Sequence, residues 1–170
     1  MGSRWVRAGG CVRSLSVVIA IGIVARGSFL AARADPAPTV FSGPLMSLDI
    51  RMKESAWRAL NLQTLESPKL YAEATVETEF GTWRSVGIKL KGSYGSFQSA
   101  EERPGLTLHF DKFKGSQRFA GLTRLHLNNG AQDESRLHEW LGGELARAAG
   151  VPAGRVGHAW LKLQGRDRGL

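Results

Sequence analysis

Apolar and polar residues alternate in several short stretches of this chain, and a two-residue period is typical of strands with one buried face. In the stretch 71–80, for example, Ala72, Ala74, Val76 and Phe80 lie on one side, and three glutamates lie between them. Gly81-Thr82 then forms a turn into a returning strand. Similar stretches occur at 47–52, 86–90, 106–110, 122–127 and 158–163. The pattern predicts a mostly antiparallel sheet.

Two stretches have helical spacing instead. Residues 53–62 predict a short helix, and residues 135–148 predict a long one, because apolar residues recur there at steps of three and four. Asp133 or Ser135 can cap the long helix, and Gly150 can end it. Its apolar stripe consists of Leu137, Trp140, Leu141, Leu145 and Ala148. We therefore predict an α+β fold with a mostly antiparallel sheet, one short helix and one long packed helix.

The N-terminal segment has the pattern of an export signal. Residues 1–34 contain five arginines and no acidic residue, and their apolar run 15–25 is shorter than the roughly 20 residues that span a bilayer. Ala32-Arg33-Ala34 fits the small-x-small cleavage rule. We predict a signal peptide at 1–34, export to the periplasm or the exterior, and no stable membrane span after cleavage. The alternative is an uncleaved N-terminal anchor.

The rest of the chain divides into a linker and a domain. Residues 35–44 are rich in proline and predict a linker, so the domain is expected to cover 45–170. Cys11 is the only cysteine, and cleavage would remove it, so we expect no disulfide in the mature chain. Residues 35–170 hold 18 of the 23 Lys and Arg residues and all 15 acidic residues. This near balance argues against a nucleic-acid partner.

A glycine- and serine-rich loop offers candidate chemistry. Gly92-Ser93-Tyr94-Gly95-Ser96 follows a strand that ends in Lys91. Such a loop can bring backbone amides close to phosphate groups, and a nearby lysine can neutralise their charge. The sequence is neither a Walker loop nor the Gly-x-Gly-x-x-Gly of protein kinases. A plain surface loop, with Lys89 and Lys91 as solvated lysines, is the alternative interpretation.

Two other polar residues admit a functional interpretation. Asn128 ends a strand, where it can hold a phosphate or a metal ligand, or simply satisfy the backbone of a turn. Glu139 lies beside the apolar stripe of the long helix, where it can pair with a phosphate-binding lysine or face solvent. The histidines lack zinc-ligand spacing, and we predict no metal site from them.

The chain resembles the spore-coat protein H (CotH) kinase-like family over about half its length. The resemblance rests on Gly87-Ile88-Lys89-Leu90-Lys91-Gly92 with Gly95-Ser96-Phe97, on Leu127-Asn128-Asn129 and on Ala149-Gly150-Val151-Pro152. It implies an atypical kinase fold that uses ATP and a divalent metal such as Mg²⁺ to phosphorylate a protein substrate. Many members have a lysine in the strand after the loop, where this chain has Thr107 or His109. The resemblance leaves Arg103, just before Pro104, as a candidate to substitute for a neighbouring basic position. The resemblance implies nucleotide-binding roles for Lys89, Lys91, Gly92, Ser96, Arg103, Asn128 and Glu139, and it leaves open which of the basic residues meets phosphate.

The resemblance also implies that residues 45–170 are a partial domain. The catalytic and metal-binding acidic residues of the family lie further along than Leu170, so we assign no catalytic or metal residue and predict no kinase activity for this chain alone. A return strand is expected to be missing after the turn at 164–167, which would leave an unpaired strand edge open to self-association. Two alternatives to an incomplete kinase remain, an exported non-catalytic module for binding or coat assembly and a non-functional gene remnant.

Overall fold

Seven strands and three helices follow one another in the part of the chain that the structure, a computed structural model, describes, which is residues 37–169. The helices are α1 (Ala37–Ser42), α2 (Glu54–Asn61) and α3 (His138–Ala148). The strands are β1 (Met46–Met52), β2 (Ala72–Thr78), β3 (Gly81–Lys91), β4 (Gly105–His109), β5 (Arg124–Leu127), β6 (Ala159–Leu163) and β7 (Arg166–Gly169).

All seven strands belong to one sheet, in the order β5-β4-β3-β2-β1-β6-β7. Every neighbouring pair is antiparallel except β1 and β6, which are parallel because a long connection containing four strands and two helices separates them. The predicted α+β class with a mostly antiparallel sheet is confirmed. α2 occupies most of the predicted stretch 53–62.

The core lies on one face of this sheet because the alternation along each strand is kept in register from strand to strand. Ile50 is paired with Val76, Ala72 with Ile88, and Ile88 with Leu108, and all of these side chains are buried. Phe110 and Phe119 stack at one end of the core, with ring centroids 5.2 Å apart. Phe80, predicted to share the buried face of β2, is instead 46% exposed, because β2 ends at Thr78 and Phe80 lies in the turn.

The long helix differs from its prediction in packing. α3 begins at His138, and Asp133 and Ser135 both contribute to its start: the Asp133 carboxylate accepts from the His138 amide at 2.8 Å, and the Ser135 hydroxyl accepts from the Leu137 amide at 3.2 Å. Yet α3 has no buried residue. Its apolar stripe is open to solvent, most of all at Leu145, which is 70% exposed. The predicted packing of this helix is therefore wrong.

The C-terminal hairpin corrects a second prediction. The return strand expected to be missing is present as β7, which pairs with β6 through Leu163↔Arg166 and Lys162↔Asp167. The edge of β6 that was predicted to be unpaired is thus covered. β7 escaped the pattern analysis because it contains no apolar alternation.

At the other end, the predicted signal peptide lies outside the described residues. The predicted linker overlaps α1, whose Val40 is buried in the core. Among residues 37–169, no helix has the length and apolar character needed to cross a membrane.

Candidate functional site

A cavity of about 1040 Å³ lies where the end of β3, the loop 92–104, the end of β5 and the start of α3 come together. Six of the seven predicted site residues line it: Lys91, Gly92, Ser96, Arg103, Asn128 and Glu139. Lys89, the seventh, does not line this cavity, and its ammonium group lies 5.1 Å from the ring centroid of Tyr71. The fold therefore brings together residues that are up to 48 positions apart in the sequence.

A hydrogen-bonded chain of three side chains forms one wall of the cavity. The Lys91 ammonium donates to the Asn128 side-chain carbonyl, and the Asn128 amide nitrogen donates to both carboxylate oxygens of Glu139. Asn128 thus lies between the lysine and the glutamate, where the sequence suggested a direct pair. The bridge fixes the Lys91 head group without neutralising it at contact distance, so its charge stays directed at the cavity.

The glycine- and serine-rich loop closes on itself beside Lys91. The amides of Ser96 and Phe97 donate to the Ser93 carbonyl at 3.0 and 2.9 Å, and the Ser93 amide donates to the Ser96 hydroxyl at 3.2 Å. Gly92 has φ 139°, and a Cβ there would lie 2.7 Å from Cα of Phe97. Only glycine fits that position, because its missing side chain permits both the dihedral and the close approach.

Asn129 holds this loop in place, and the sequence analysis did not select it. Its buried amide nitrogen donates to the carbonyls of Ser96 at 2.8 Å and Arg103 at 3.1 Å, and its side-chain oxygen accepts from the Ala131 amide at 3.2 Å. One side chain therefore joins both ends of the loop to the turn after β5. The paired asparagines after a strand were the available signal, but the pattern does not show that the second one is buried.

Arg103 is held by the C-terminal hairpin. Its Nε donates to the Arg168 carbonyl at 3.0 Å. Glu101, two residues earlier, forms ion pairs with Arg166 at 2.5 Å and with Arg168 at 3.8 Å. These contacts join the loop after β3 to β7, four positions away in the sheet order, so the sheet curls and the cavity has a wall on that side.

The electrostatics of the cavity favour anions. Its lining includes Lys91, Arg103, Arg124, Arg136, Arg155 and Arg168 but only two carboxylates, Asp133 and Glu139. The pKa of His126 is lowered by burial and then by repulsion from Lys91, Arg124 and Lys89. His126 is also in contact with Thr107, whose hydroxyl lies 3.1 Å from Nδ1. The contribution of the three cations to this lowered pKa indicates positive potential at this wall.

Both carboxylates of the cavity are already engaged within the protein. Glu139 accepts from Asn128, and Asp133 accepts from the Ser135 hydroxyl at 2.6 Å and from the His138 amide. The Ser135 hydrogen bond is the main cause of the lowered pKa of Asp133. In the described part of the chain, no group of three or more His, Cys, Asp or Glu side chains is placed to hold a metal ion.

These residues fit phosphate groups but not a divalent metal. Phosphates need cations, which Lys91 and Arg103 offer at the wall of the cavity. Mg²⁺ prefers carboxylate and water oxygens in octahedral geometry, and the two carboxylates of the cavity are committed elsewhere.

Comparison with known proteins finds a family that the C-terminal half of the chain resembles. Residues 88–170 match the family model of the CotH kinase protein. The match begins within β3 and includes Lys89, Lys91, the loop, β4, β5, α3 and the hairpin of β6 and β7, and so it contains all seven predicted site residues. No curated protein matches the chain. Residues 88–170 of this chain are therefore similar to the CotH kinase protein family.

Proposed function

We propose that this chain binds the phosphate groups of ATP in the cavity, as the nucleotide-binding part of a kinase-like domain that acts on a protein substrate. The observation that supports the proposal most is the wall formed by Lys91, Asn128 and Glu139 beside the Gly92 loop. In kinases, a lysine that is fixed by a glutamate neutralises phosphate charge. Here Asn128 lies between the two residues and holds Lys91 in place through Glu139.

Each part of the cavity has a chemical task in this proposal. Lys91 supplies the positive charge, and Arg103, fixed by the Arg168 carbonyl, supplies a second cation at the other end of the loop. Gly92 permits the close approach of Phe97 that closes the loop beside Lys91. Asn129 holds Ser96 and Arg103 at a constant separation, so that the loop is positioned before the ligand arrives.

We further propose that the described chain does not transfer the phosphoryl group by itself. Phosphoryl transfer depends on metal ions that neutralise developing charge and on a residue that orients the nucleophile. Asp133 caps α3 and Glu139 binds Asn128, so neither carboxylate of the cavity is free for either task.

The test is a calorimetric titration of the full chain with a non-hydrolysable ATP analogue. We expect Lys91→Ala to weaken binding by about tenfold or more, which corresponds to about 1.4 kcal/mol. Lys89→Ala is the matched control, because Lys89 lies two residues earlier on the same strand but outside the cavity, and binding should stay within about twofold of the unchanged chain.

Two outcomes would contradict these proposals. Equal losses in the two lysine variants would show that the cavity is not the binding site. Phosphate release from ATP and Mg²⁺ well above background, lost in Lys91→Ala, would show that the chain is catalytic on its own.

A second candidate function is an exported binding module without catalysis. The exposed apolar stripe of α3 favours it, because Leu137, Trp140, Leu141 and Leu145 are between 37% and 70% exposed. A contiguous apolar surface of this kind is typical of an interaction site. A folded chain that binds no nucleotide analogue would favour this function over the first. Export itself remains a proposal that rests on the sequence of residues 1–34.

A further inference from the structure

The outer surface of β3, β4 and β5, opposite the core, concentrates positive charge. Lys89 and Lys91 on β3 share this surface with Arg124 and His126 on β5, and we call these four residues the cationic face. Lys89 is in register with Thr107, which is in register with His126. Since neighbouring strands lie about 4.8 Å apart and alternate residues about 6.7 Å apart, the four groups form a close array.

The cations of this face form no ion pair in the part of the chain that the structure describes. In residues 37–169, Lys89, Lys91 and Arg124 form no ion pair, whereas Arg51, Arg58, Arg118, Arg147, Arg166 and Arg168 do. Repulsion among like charges is therefore not compensated by an ion pair, and after burial it is the next cause of the lowered pKa of His126. An anionic partner would relieve that repulsion.

The surroundings of the face add charge of the same sign. Lys112 and Lys89 both lie over the ring of Tyr71, at 5.3 and 5.1 Å from its centroid. Asp111, just after β4, is occupied by Arg118 at 2.9 Å and by His109 at 2.8 Å. Glu73 on β2 is the acidic residue that borders the face, beside Gly87.

β5 provides a backbone template next to these charges. It is the outermost strand at its end of the sheet, and no other strand of residues 37–169 pairs with its outer edge. An extended peptide can add to such an edge through main-chain hydrogen bonds, with alternate side chains on each face. One face would meet Arg124 and His126, and the other would meet the half-buried Leu125 and Leu127.

We propose that the cationic face binds an extended acidic segment of a partner protein, with Asp or Glu at alternate positions and apolar residues between them. Acidic residues of the partner must alternate with apolar ones, because one face of β5 is cationic and the other is apolar. The main-chain hydrogen bonds of a free strand edge require a peptide, which favours a protein partner over a nucleic acid or a lipid. The face overlaps the wall of the cavity, because Lys91, Arg124 and His126 also line the cavity, whereas Lys89 lies outside it.

The experiment measures binding of a fluorescent peptide of alternating Glu and Val to the full chain by anisotropy. We expect the double variant Lys89→Glu with Arg124→Glu to weaken binding by about tenfold or more, as charge reversal at close pairs does. The matched control is Lys53→Glu with Lys162→Glu, which changes the net charge by the same amount at two exposed lysines, one after β1 and one on β6. This control should alter peptide binding by less than about threefold. Lys89→Gln with Arg124→Gln serves as a milder second variant whose folding is checked by circular dichroism.

Two further peptides test the geometry. A peptide of the same composition with its glutamates in one block should bind more weakly, and the alternating peptide should slow amide exchange in β5. Equal losses in both double variants, or equal binding of both peptides, would overturn the proposal. So would binding of duplex DNA or of anionic vesicles that depends on Lys89 and Arg124 while the alternating peptide does not bind. A single Lys89→Glu variant that loses the peptide but still binds the nucleotide analogue separates this proposal from the proposed function, since Lys89 lies outside the cavity.

Discussion

Two adjacent asparagines have different tasks at the scale of single residues. Asn129 is buried and bonds to the carbonyls of Ser96 and Arg103, so Asn129→Ala leaves polar backbone groups without partners. We expect the free energy of unfolding to fall by about 1–3 kcal/mol, the usual cost of unsatisfied buried groups, and urea denaturation measures it.

Asn128 is the matched control for this prediction because it is exposed. Asn128→Ala should change the free energy of unfolding by less than about 0.5 kcal/mol, while nucleotide binding weakens because Lys91 loses its bridge to Glu139. The interpretation fails if Asn128→Ala destabilises the chain as much as Asn129→Ala does.

The sequence reached only part of this arrangement. Lys91, Asn128 and Glu139 were recognisable as candidates from residue type and from their positions at the ends of elements. The role of Asn129 was not, because its partners lie 26 and 33 residues away and no local pattern encodes burial of a turn residue. Likewise, Lys89 and Lys91 have the same side chain on the same strand, and only the shape of the cavity distinguishes them.

Among the elements, α3 is a helix whose stability is largely its own. Gly142 lies in its interior, where an added Cβ would meet nothing within 4 Å. Gly142→Ala should therefore stabilise the helix by up to about 1 kcal/mol, because alanine has a higher helix propensity than glycine. Since α3 has no buried residue, we expect slower amide exchange within α3 and little change in the global unfolding transition.

Gly143 provides the comparison within the same helix. A Cβ there would lie 3.2 Å from the Gly154 carbonyl, which already accepts from Arg147 at 2.6 Å. Gly143→Ala should protect the amides of α3 from exchange less than Gly142→Ala does, or should reduce their protection, because the loop at Gly154 must shift. Equal protection in the two variants would show that this contact does not constrain the helix.

The elements also show what periodicity can and cannot predict. Alternation located β1 to β6 because burial of one face imposes it, and the spacing located α3. The same spacing could not show that the stripe of α3 is exposed, because a pattern states which residues share a face and not what covers that face. β7 was missed because an edge strand such as Arg166–Gly169 does not need apolar residues and so shows no alternation.

For the whole molecule, the decisive contact lies between segments that are distant in both sequence and sheet order. Glu101, in the loop after β3, forms ion pairs with Arg166 and Arg168 of β7, and its backbone carbonyl also accepts from Arg168. The contact closes the curl of the sheet around the cavity. No sequence pattern predicted it, because Glu101, Arg166 and Arg168 look like ordinary solvated charges.

Removing the charge of Glu101 should therefore cost more than removing a surface charge. The Arg168 side chain is only 10% exposed, and its Nε and Nη2 are buried without a hydrogen-bond partner in residues 37–169, so Glu101→Gln leaves that guanidinium without its counter-charge. We expect a loss of about 1–3 kcal/mol in the free energy of unfolding.

The control is Glu54→Gln, which breaks an exposed pair with Arg58 within α2 and should cost about 0.5 kcal/mol or less. Urea denaturation of both variants measures the difference, and nucleotide binding should also weaken in Glu101→Gln, since Arg103 is held by the same hairpin. If both variants lose the same small amount of stability, the curl is maintained by the strand pairing of β1, β6 and β7 alone, and Glu101 is only a surface charge.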